Sequence, residues 1–228
     1  MKNRYLKQAL FASLVSFGFA SSALADTGDV AIGAKASTLG FGGEVTVGLT
    51  SSFNARAGYN GYNYNGSTSQ NQITYDYKLS LGSFPVMLDW YPFENSGFRL
   101  SPGVIFNNNK VTATGSSTVP GSYTIGGTTY TTAKIGSLTG GVDFDKTVPY
   151  AGLGWGNAVG KNSGLSFSFD LGVMFQGTPK VALAATNPTI QSNPAFQTDL
   201  NKEIADLKDK TDKFKYYPVV SIAIAYAF

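Results

Sequence analysis

Large apolar residues alternate with small or polar residues in eight segments of the chain. The most informative segment is the last, where large apolar residues occupy every second position: Tyr216, Pro218, Val220, Ile222, Ile224, Tyr226 and Phe228. A period of two predicts a β-strand with two different faces. The other seven segments lie at residues 30–36, 45–49, 53–59, 73–90, 98–106, 151–155 and 165–175. The pattern therefore predicts an all-β protein with eight strands.

The segment 73–90 changes phase along its length. Its large apolar residues are odd-numbered from Ile73 to Leu81 and even-numbered from Phe84 to Trp90. One extra residue within a strand moves every later side chain to the other face. We therefore predict a β-bulge at Gly82 and Ser83.

Short and long connections alternate between the eight segments. The connections at one end, 50–52, 92–96 and 157–163, are short, whereas those at the other end, 38–42, 66–71, 114–146 and 178–214, include two very long ones. Transmembrane barrels have an even number of antiparallel strands, short periplasmic turns and longer extracellular loops. The sequence thus predicts an eight-stranded antiparallel up-and-down transmembrane β-barrel, with its bulky face toward lipid.

The two long connections differ in composition. The first is rich in Ser, Thr and Gly and predicts a polar hairpin turning at Gly126 and Gly127, which we place outside the membrane, although insertion would raise the strand count to ten. The second contains Asn193-Pro194, a helix cap and first helical residue, followed by apolar residues at helical spacing. It predicts one amphipathic helix in the last extracellular loop, interpreted as a lid over the barrel rim, with a partner surface as the alternative.

Aromatic residues concentrate at both ends of the predicted strands. Amphipathic rings collect at the two membrane–water interfaces, so bands of this kind indicate aromatic girdles. The girdle residues are Tyr59, Tyr75, Tyr77 and Tyr216 at the outer end, and Trp90, Trp155 and Tyr226 at the periplasmic end.

The amino terminus has the three parts of a secretory signal peptide. Lys2, Arg4 and Lys7 precede an apolar run at 9–20, and Ala-Leu-Ala follows at 23–25. We expect cleavage after residue 25, which leaves one barrel domain at 26–228. Three of the 17 basic residues belong to this leader, so the remaining 14 balance the 14 acidic residues. This balance gives no indication of nucleic-acid binding.

The chain contains no histidine and no cysteine. A Ser-His-Asp triad, a His-based dyad and thiolate metal sites are therefore excluded. We predict no catalytic residue, no metal site, no cofactor and no enzymatic activity.

Charged residues occupy positions that the predicted registers place inside the barrel. An eight-stranded barrel is about wide enough for side chains to fill, and charges in such a space must be paired. We predict a lumen charge network that plugs the barrel, with a polar pore as the alternative. Its residues are Lys35, Glu44, Arg56, Asp76, Lys78, Asp89, Arg99 and Asp170.

The leader, the alternating segments, the aromatic bands and the final strand ending in Phe228 resemble the small bacterial outer-membrane barrels of the OmpA, OmpX and OmpW type. The resemblance implies a location in the bacterial outer membrane, lipids as partners, and Phe228 as the signal for the insertion machinery. It implies a non-enzymatic role in envelope structure or surface interaction, with an extracellular partner left unidentified. The alternative function is a narrow passive channel for small solutes, including hydrophobic ones.

Overall fold

The computed structural model describes residues 28–70, 73–117, 120–159 and 164–228, so the predicted signal peptide lies outside the described residues. The strands are β1 Val30–Ser37, β2 Gly40–Thr50, β3 Phe53–Gln70, β4 Ile73–Trp90, β5 Phe98–Asn107, β6 Lys110–Ser116, β7 Ser122–Ile125, β8 Thr128–Thr131, β9 Leu138–Asp143, β10 Thr147–Trp155, β11 Gly164–Phe175, β12 Lys180–Ala185 and β13 Tyr216–Ala227. The helices are α1 Thr132–Ile135, α2 Pro188–Gln191 and α3 Pro194–Thr211, and a short 3₁₀ turn at Asp212–Lys215 leads into β13.

Eight strands pair with one another in a ring, and every pairing is antiparallel. The strands β1 to β5 pair in sequence order. The ring continues from β5 through β10, β11 and β13 back to β1. The predicted all-β, antiparallel architecture is confirmed, and these eight strands, called the ring below, contain the eight alternating segments.

Two of the ring strands, β3 and β4, continue beyond the ring into an open sheet. Their upper parts pair with each other, and from there β4 pairs with β6, β6 with β9 and β9 with β12. We call this the outer sheet. Strands β9 and β12, and the last residues of β6, fall within the predicted long connections, because these short strands are rich in Gly, Ala and Thr and alternate weakly.

A small cap closes the far end of the outer sheet. It consists of the hairpin β7–β8, which turns at Gly126 and Gly127 with positive φ angles of 55° and 91°, and of helices α1 to α3. The predicted hairpin and helix are both confirmed. Helix α3 begins after Asn193, whose side chain accepts hydrogen bonds from the backbone N–H groups of Ala195 and Phe196.

The apolar stripe of α3 packs within the cap. Phe196 and Leu200 are buried among Ile73 of β4 and the hairpin residues Tyr123 and Ile125. The helix therefore completes a core on the outer sheet, whereas the sequence had suggested a lid on the rim of the ring. The difference arises because the long polar connection supplies its own apolar residues for α3 to cover.

The structure corrects the predicted bulge in β4. The register against β3 is the same at Phe53↔Trp90 as at Gln70↔Ile73, so no residue is inserted at Gly82 or Ser83. The surroundings change along the strand. Between Ser83 and Trp90, the odd-numbered residues face the interior of the ring, whereas at the other end Ile73 and Tyr75, on that same face, pack in the core of the cap. The opposite face is exposed in both halves. The inversion of the apolar pattern follows this change of surroundings.

Large apolar side chains cover the outside of the ring. Leu165, Ile32 and Phe167 are 64%, 56% and 57% exposed. Contiguous apolar surface of this extent on a monomer marks a membrane or an interaction surface. We call this surface the apolar belt; it includes Ile32, Val45, Phe53, Phe84, Val86, Leu88, Val104, Phe106, Leu165, Phe167, Phe169, Leu171, Val220, Ile222 and Ile224. Within the described ranges, no helix has the length and apolar character needed to cross a membrane.

Candidate functional site: the interior of the ring

The strands of the ring direct charged side chains toward a common centre. Period-two alternation sends every second side chain inward, and neighbouring strands bring these positions to a similar height. The six charged residues that meet there are Lys35 of β1, Glu44 of β2, Arg56 of β3, Asp89 of β4, Arg99 of β5 and Asp170 of β11. We call this set the interior network; it holds three positive and three negative groups.

Arg56 links three of the carboxylates. Its Nε and Nη2 atoms lie 3.0 Å from the two oxygens of Asp89, and its Nη1 lies 3.0 Å from Asp170 Oδ2. The same Nη1 lies 3.6 Å from Glu44 Oε2. A planar guanidinium suits this role because it presents five donors in a fixed fork.

Arg99 approaches the same carboxylates from the other side. Its Nη2 lies 2.6 Å from Asp170 Oδ1, and its Nη1 donates to the carbonyl oxygen of Gly156. Two serines complete the shell, with Ser101 Oγ 2.5 Å from Asp89 Oδ1 and Ser221 Oγ 3.2 Å from Asp170 Oδ2. The carboxylates therefore bind cations and hydroxyls together, which offsets part of the cost of burying them.

Lys35 and Glu44 form the third part of the network. Lys35 Nζ lies 2.6 Å from Glu44 Oε2, and their side chains are 10% and 3% exposed. Glu44 is thereby shared between Lys35 and Arg56. The six side chains form one connected, charge-balanced cluster, in which the loss of one member leaves a neighbour uncompensated.

Apolar layers lie at both ends of the interior network. At the outer end, the buried side chains of Leu39, Ile105, Val148, Tyr150, Met174 and Val219 form one cluster. At the other end, Val159 from the β10–β11 connection is fully buried against Ala31, Ala225 and Ala227. Between the outer layer and the network is a cavity of about 20 Å³ lined by residues that include Lys35, Arg56 and Asp170. A cavity of this size holds about one water molecule.

Two of the eight predicted network residues lie elsewhere, and the structure corrects their assignment. Asp76 and Lys78 are exposed on the outer sheet, on the face of β4 opposite to Asp89. The predicted bulge would have turned them inward. Without it, they belong to the outward face.

The aromatic residues of the predicted girdles divide in the same way. Tyr59, Trp90, Trp155, Tyr216 and Tyr226 are exposed on the outside of the ring strands. Tyr75 and Tyr77 lie on the opposite face of β4, where Tyr75 packs against the core of the cap and Tyr77 contacts the ring of Tyr64. Their assignment is corrected for the same physical reason, the unbroken register of β4.

Several contributors to the interior were missed at the sequence level. Ser101 and Ser221 could have been found, because the alternation that directs Arg99 and Ala223 inward also directs them. The carbonyl oxygen of Gly156 and the buried Val159 belong to a connection, where periodicity gives no signal. Among the described residues, no three or more carboxylates are arranged to hold a metal ion.

An apolar outside around a charged inside, built from antiparallel strands, is the arrangement of outer-membrane β-barrel proteins. No protein-family model and no curated protein sequence matches the chain. Among solved structures, CarO2 of Acinetobacter baumannii matches with a TM-score of 0.57 and 22% identity, over 89% of this chain and 100% of that chain. CarO of Acinetobacter baumannii matches with a TM-score of 0.56 and 19% identity, over 88% and 98%.

These two proteins are small bacterial outer-membrane β-barrel proteins. The chain is similar to them in fold, since the match spans nearly the whole of both chains at a low identity. A third structure, Ail, the attachment invasion locus protein of Yersinia pestis, matches with a TM-score of 0.36 and 10% identity, over 89% and 100%.

Proposed function

We propose that this chain is an integral protein of the bacterial outer membrane whose ring closes into an eight-stranded β-barrel. The apolar belt supports this proposal, because exposed side chains such as Leu165 and Ile222 require a nonpolar surrounding. The aromatic residues at the ends of the ring strands and the fold shared with CarO support it as well. In this proposal residues 1–25 are removed as a signal peptide, and residues 26–228 form the membrane domain.

We propose a closed, non-enzymatic barrel whose interior network fixes the strands and blocks passage. The observation that carries this proposal is the pairing of six buried charges with a cavity of only about 20 Å³ beside them. The buried apolar layers at both ends of the network favour the closed barrel over the narrow channel. Neither cofactor nor catalytic group is needed for this role.

The barrel would hold the outer sheet and the cap at the cell surface. Strands β3 and β4 belong to both the ring and the outer sheet, so they join the outer sheet to the barrel below it. A role in envelope structure or surface interaction follows from this arrangement. We propose that the insertion machinery recognises the final strand, at whose end the aromatic side chains of Tyr226 and Phe228 are in contact.

Planar-bilayer recording tests the closed barrel. We expect no steady unitary current from the wild-type protein, and none from Lys210→Gln, which changes an exposed lysine of α3. Steady currents whose size changes on Arg56→Gln but not on Lys210→Gln would establish a channel through the network. Migration in SDS gels before and after boiling tests the barrel itself: an unchanged position, with recovery as a soluble periplasmic protein, would contradict it.

A further inference from the structure

The outward face of the outer sheet is polar across its strands. On β4 it presents Thr74, Asp76, Lys78 and Ser80. The residues paired with these positions on β3 and β6 are Asn, Ser, Thr and Lys. We call this surface the polar face. It has no apolar side chain on β3, β4 or β6 above the ring.

The polar face is the direct continuation of the apolar belt. Because the register of β4 is unbroken, Ser80 and Phe84 lie on the same side of the strand, four residues apart. At about 3.3 Å per residue this separation is about 13 Å. Phe84 pairs with Phe106 across the strands, with ring centroids 6.2 Å apart, and marks the upper limit of the belt. In the proposed membrane, side chains beyond this pair would stand at the level of the lipid headgroups.

A row of charged residues crosses the sheet at that level. In the register of the sheet, Lys110 of β6 lies opposite Ser80 of β4 on one side and opposite Asp143 of β9 on the other. Asp143 in turn lies opposite Lys180 of β12. Lys180 Nζ lies 2.9 Å from Asp145 Oδ1, with side chains 69% and 49% exposed. An ion pair so exposed contributes little, so its lysine remains available to an anion.

A groove lies on the polar face directly above this row. Its volume is about 500 Å³, and it is widely open to its surroundings. The outward side chains that line it are Asn65, Ser67, Asp76, Lys78, Thr112 and Thr114. Hydroxyls, amides and one charge of each sign suit a ligand rich in hydroxyl groups, and the lysines suit phosphate.

We propose that the groove and the two lysines of the charged row, Lys110 and Lys180, bind the phosphorylated sugar headgroup of a glycolipid in the outer leaflet. The apolar belt on the same strands would pack against the acyl chains of that lipid, so one molecule contacts both surfaces. This continuity commits the site to a lipid-anchored ligand, because the membrane holds the headgroup at this height. The inference rests on the proposed location in the outer membrane.

The affinity for lipopolysaccharide in neutral detergent micelles tests the site. The test variant replaces Lys78, Lys110 and Lys180 by Gln, and the control replaces Lys134, Lys208 and Lys210, three exposed lysines of the cap, so the change in net charge is the same. We expect the test variant to bind at least about tenfold more weakly than wild type, as loss of about 1.4 kcal/mol implies. The control should stay within about twofold.

Three further results decide the chemistry. Wild-type protein should bind dephosphorylated lipopolysaccharide and phosphatidylglycerol micelles about tenfold more weakly than intact lipopolysaccharide. Equal weakening by both triple variants, or none by the test variant, would overturn the site. Equal affinity for the deacylated, water-soluble headgroup would overturn the lipid source. Failure of the outer-membrane location would appear separately, as soluble protein without a boiling-dependent shift.

Discussion

The two halves of β4 present the same face of one strand to opposite surroundings. In the lower half, Asp89 points into the ring and is held by Arg56 and Ser101, while Trp90 and Leu88 point outward. In the upper half, Ile73 on that same face is buried in the core of the cap, and Asp76 is exposed on the other. Polarity therefore inverts without any change in register.

This inversion shows that periodicity and polarity carry different information. Alternation reports which residues share a face of a strand. The chemical nature of a face reports its solvent, which is lipid on the outside of the proposed barrel and water on the outside of the outer sheet. A change of solvent along a straight strand therefore imitates a one-residue slip.

The largest expected effect is the removal of one member of the interior network. Asp89→Asn leaves Arg56 buried without one of its two closest carboxylates, and breaking a buried pair costs about 3–5 kcal/mol. Urea unfolding in detergent micelles should show a loss of this size. Asp76→Asn, an exposed position on the same strand, is the matched control and should change the free energy of unfolding by less than about 1 kcal/mol. Equal effects of the two substitutions would contradict the division between the halves.

A smaller and local effect is expected at the other end of the same face. Ile73→Ala removes a fully buried side chain from the core of the cap, a change that typically costs about 2–5 kcal/mol. Hydrogen exchange should show faster opening of β7 and α3, with unchanged protection in β11 and β13. Thr74→Ala, the exposed neighbour, should leave exchange in the cap as it is. If Ile73→Ala loosened the ring strands equally, the cap would not be a separate core.

The smallest expected effect is a pH dependence confined to the cap. Hydrogen bonds from Thr128 and Tyr130, with Lys202 nearby, lower the pKa of Asp199 below its usual range. A carboxyl with a lower pKa when folded contributes stability above its unfolded pKa of about 3.9, and this is lost as the pH falls through the folded pKa. The protection factors of the β7–β8 hairpin, which are corrected for the intrinsic exchange rate at each pH, should therefore fall below about pH 4. Asp199→Asn should remove that pH dependence, and its persistence in the variant would assign it to another group.

Much of the ring could be predicted from the sequence because both of its surroundings are strongly selective. The exposed outside carries apolar residues such as Phe167 and Ile224, as the proposed lipid surroundings require, and a narrow interior requires paired or small residues such as Arg56 and Ala223. The alternation therefore identified the ring strands, whereas the hairpin turn at Gly126 and the cap of α3 at Asn193 were indicated by the local Gly-Gly and Asn-Pro pairs.

The outer sheet could not be predicted in the same way. One face of the outer sheet is exposed to water and the other covers only a small core, so neither face requires a strict alternation of apolar and polar residues. Strand β9, with Gly140 and Gly141, therefore could not be distinguished from a loop. The assignments of Asp76, Lys78, Tyr75 and Tyr77 failed together, since all four depended on one inferred bulge. Val159 reaches the interior from the connection between β10 and β11. Its position depends on the three-dimensional path of that connection, which no local sequence pattern indicates.

The length of the β3–β4 hairpin has a mechanical consequence. Each strand has 18 residues, about 60 Å at 3.3 Å per residue, or about twice the hydrocarbon thickness of a bilayer. A paired hairpin of this length, with one register throughout, resists bending in the plane of the sheet. Because β3 and β4 belong to both the ring and the outer sheet, a force applied to the cap would be transmitted to the ring through this hairpin.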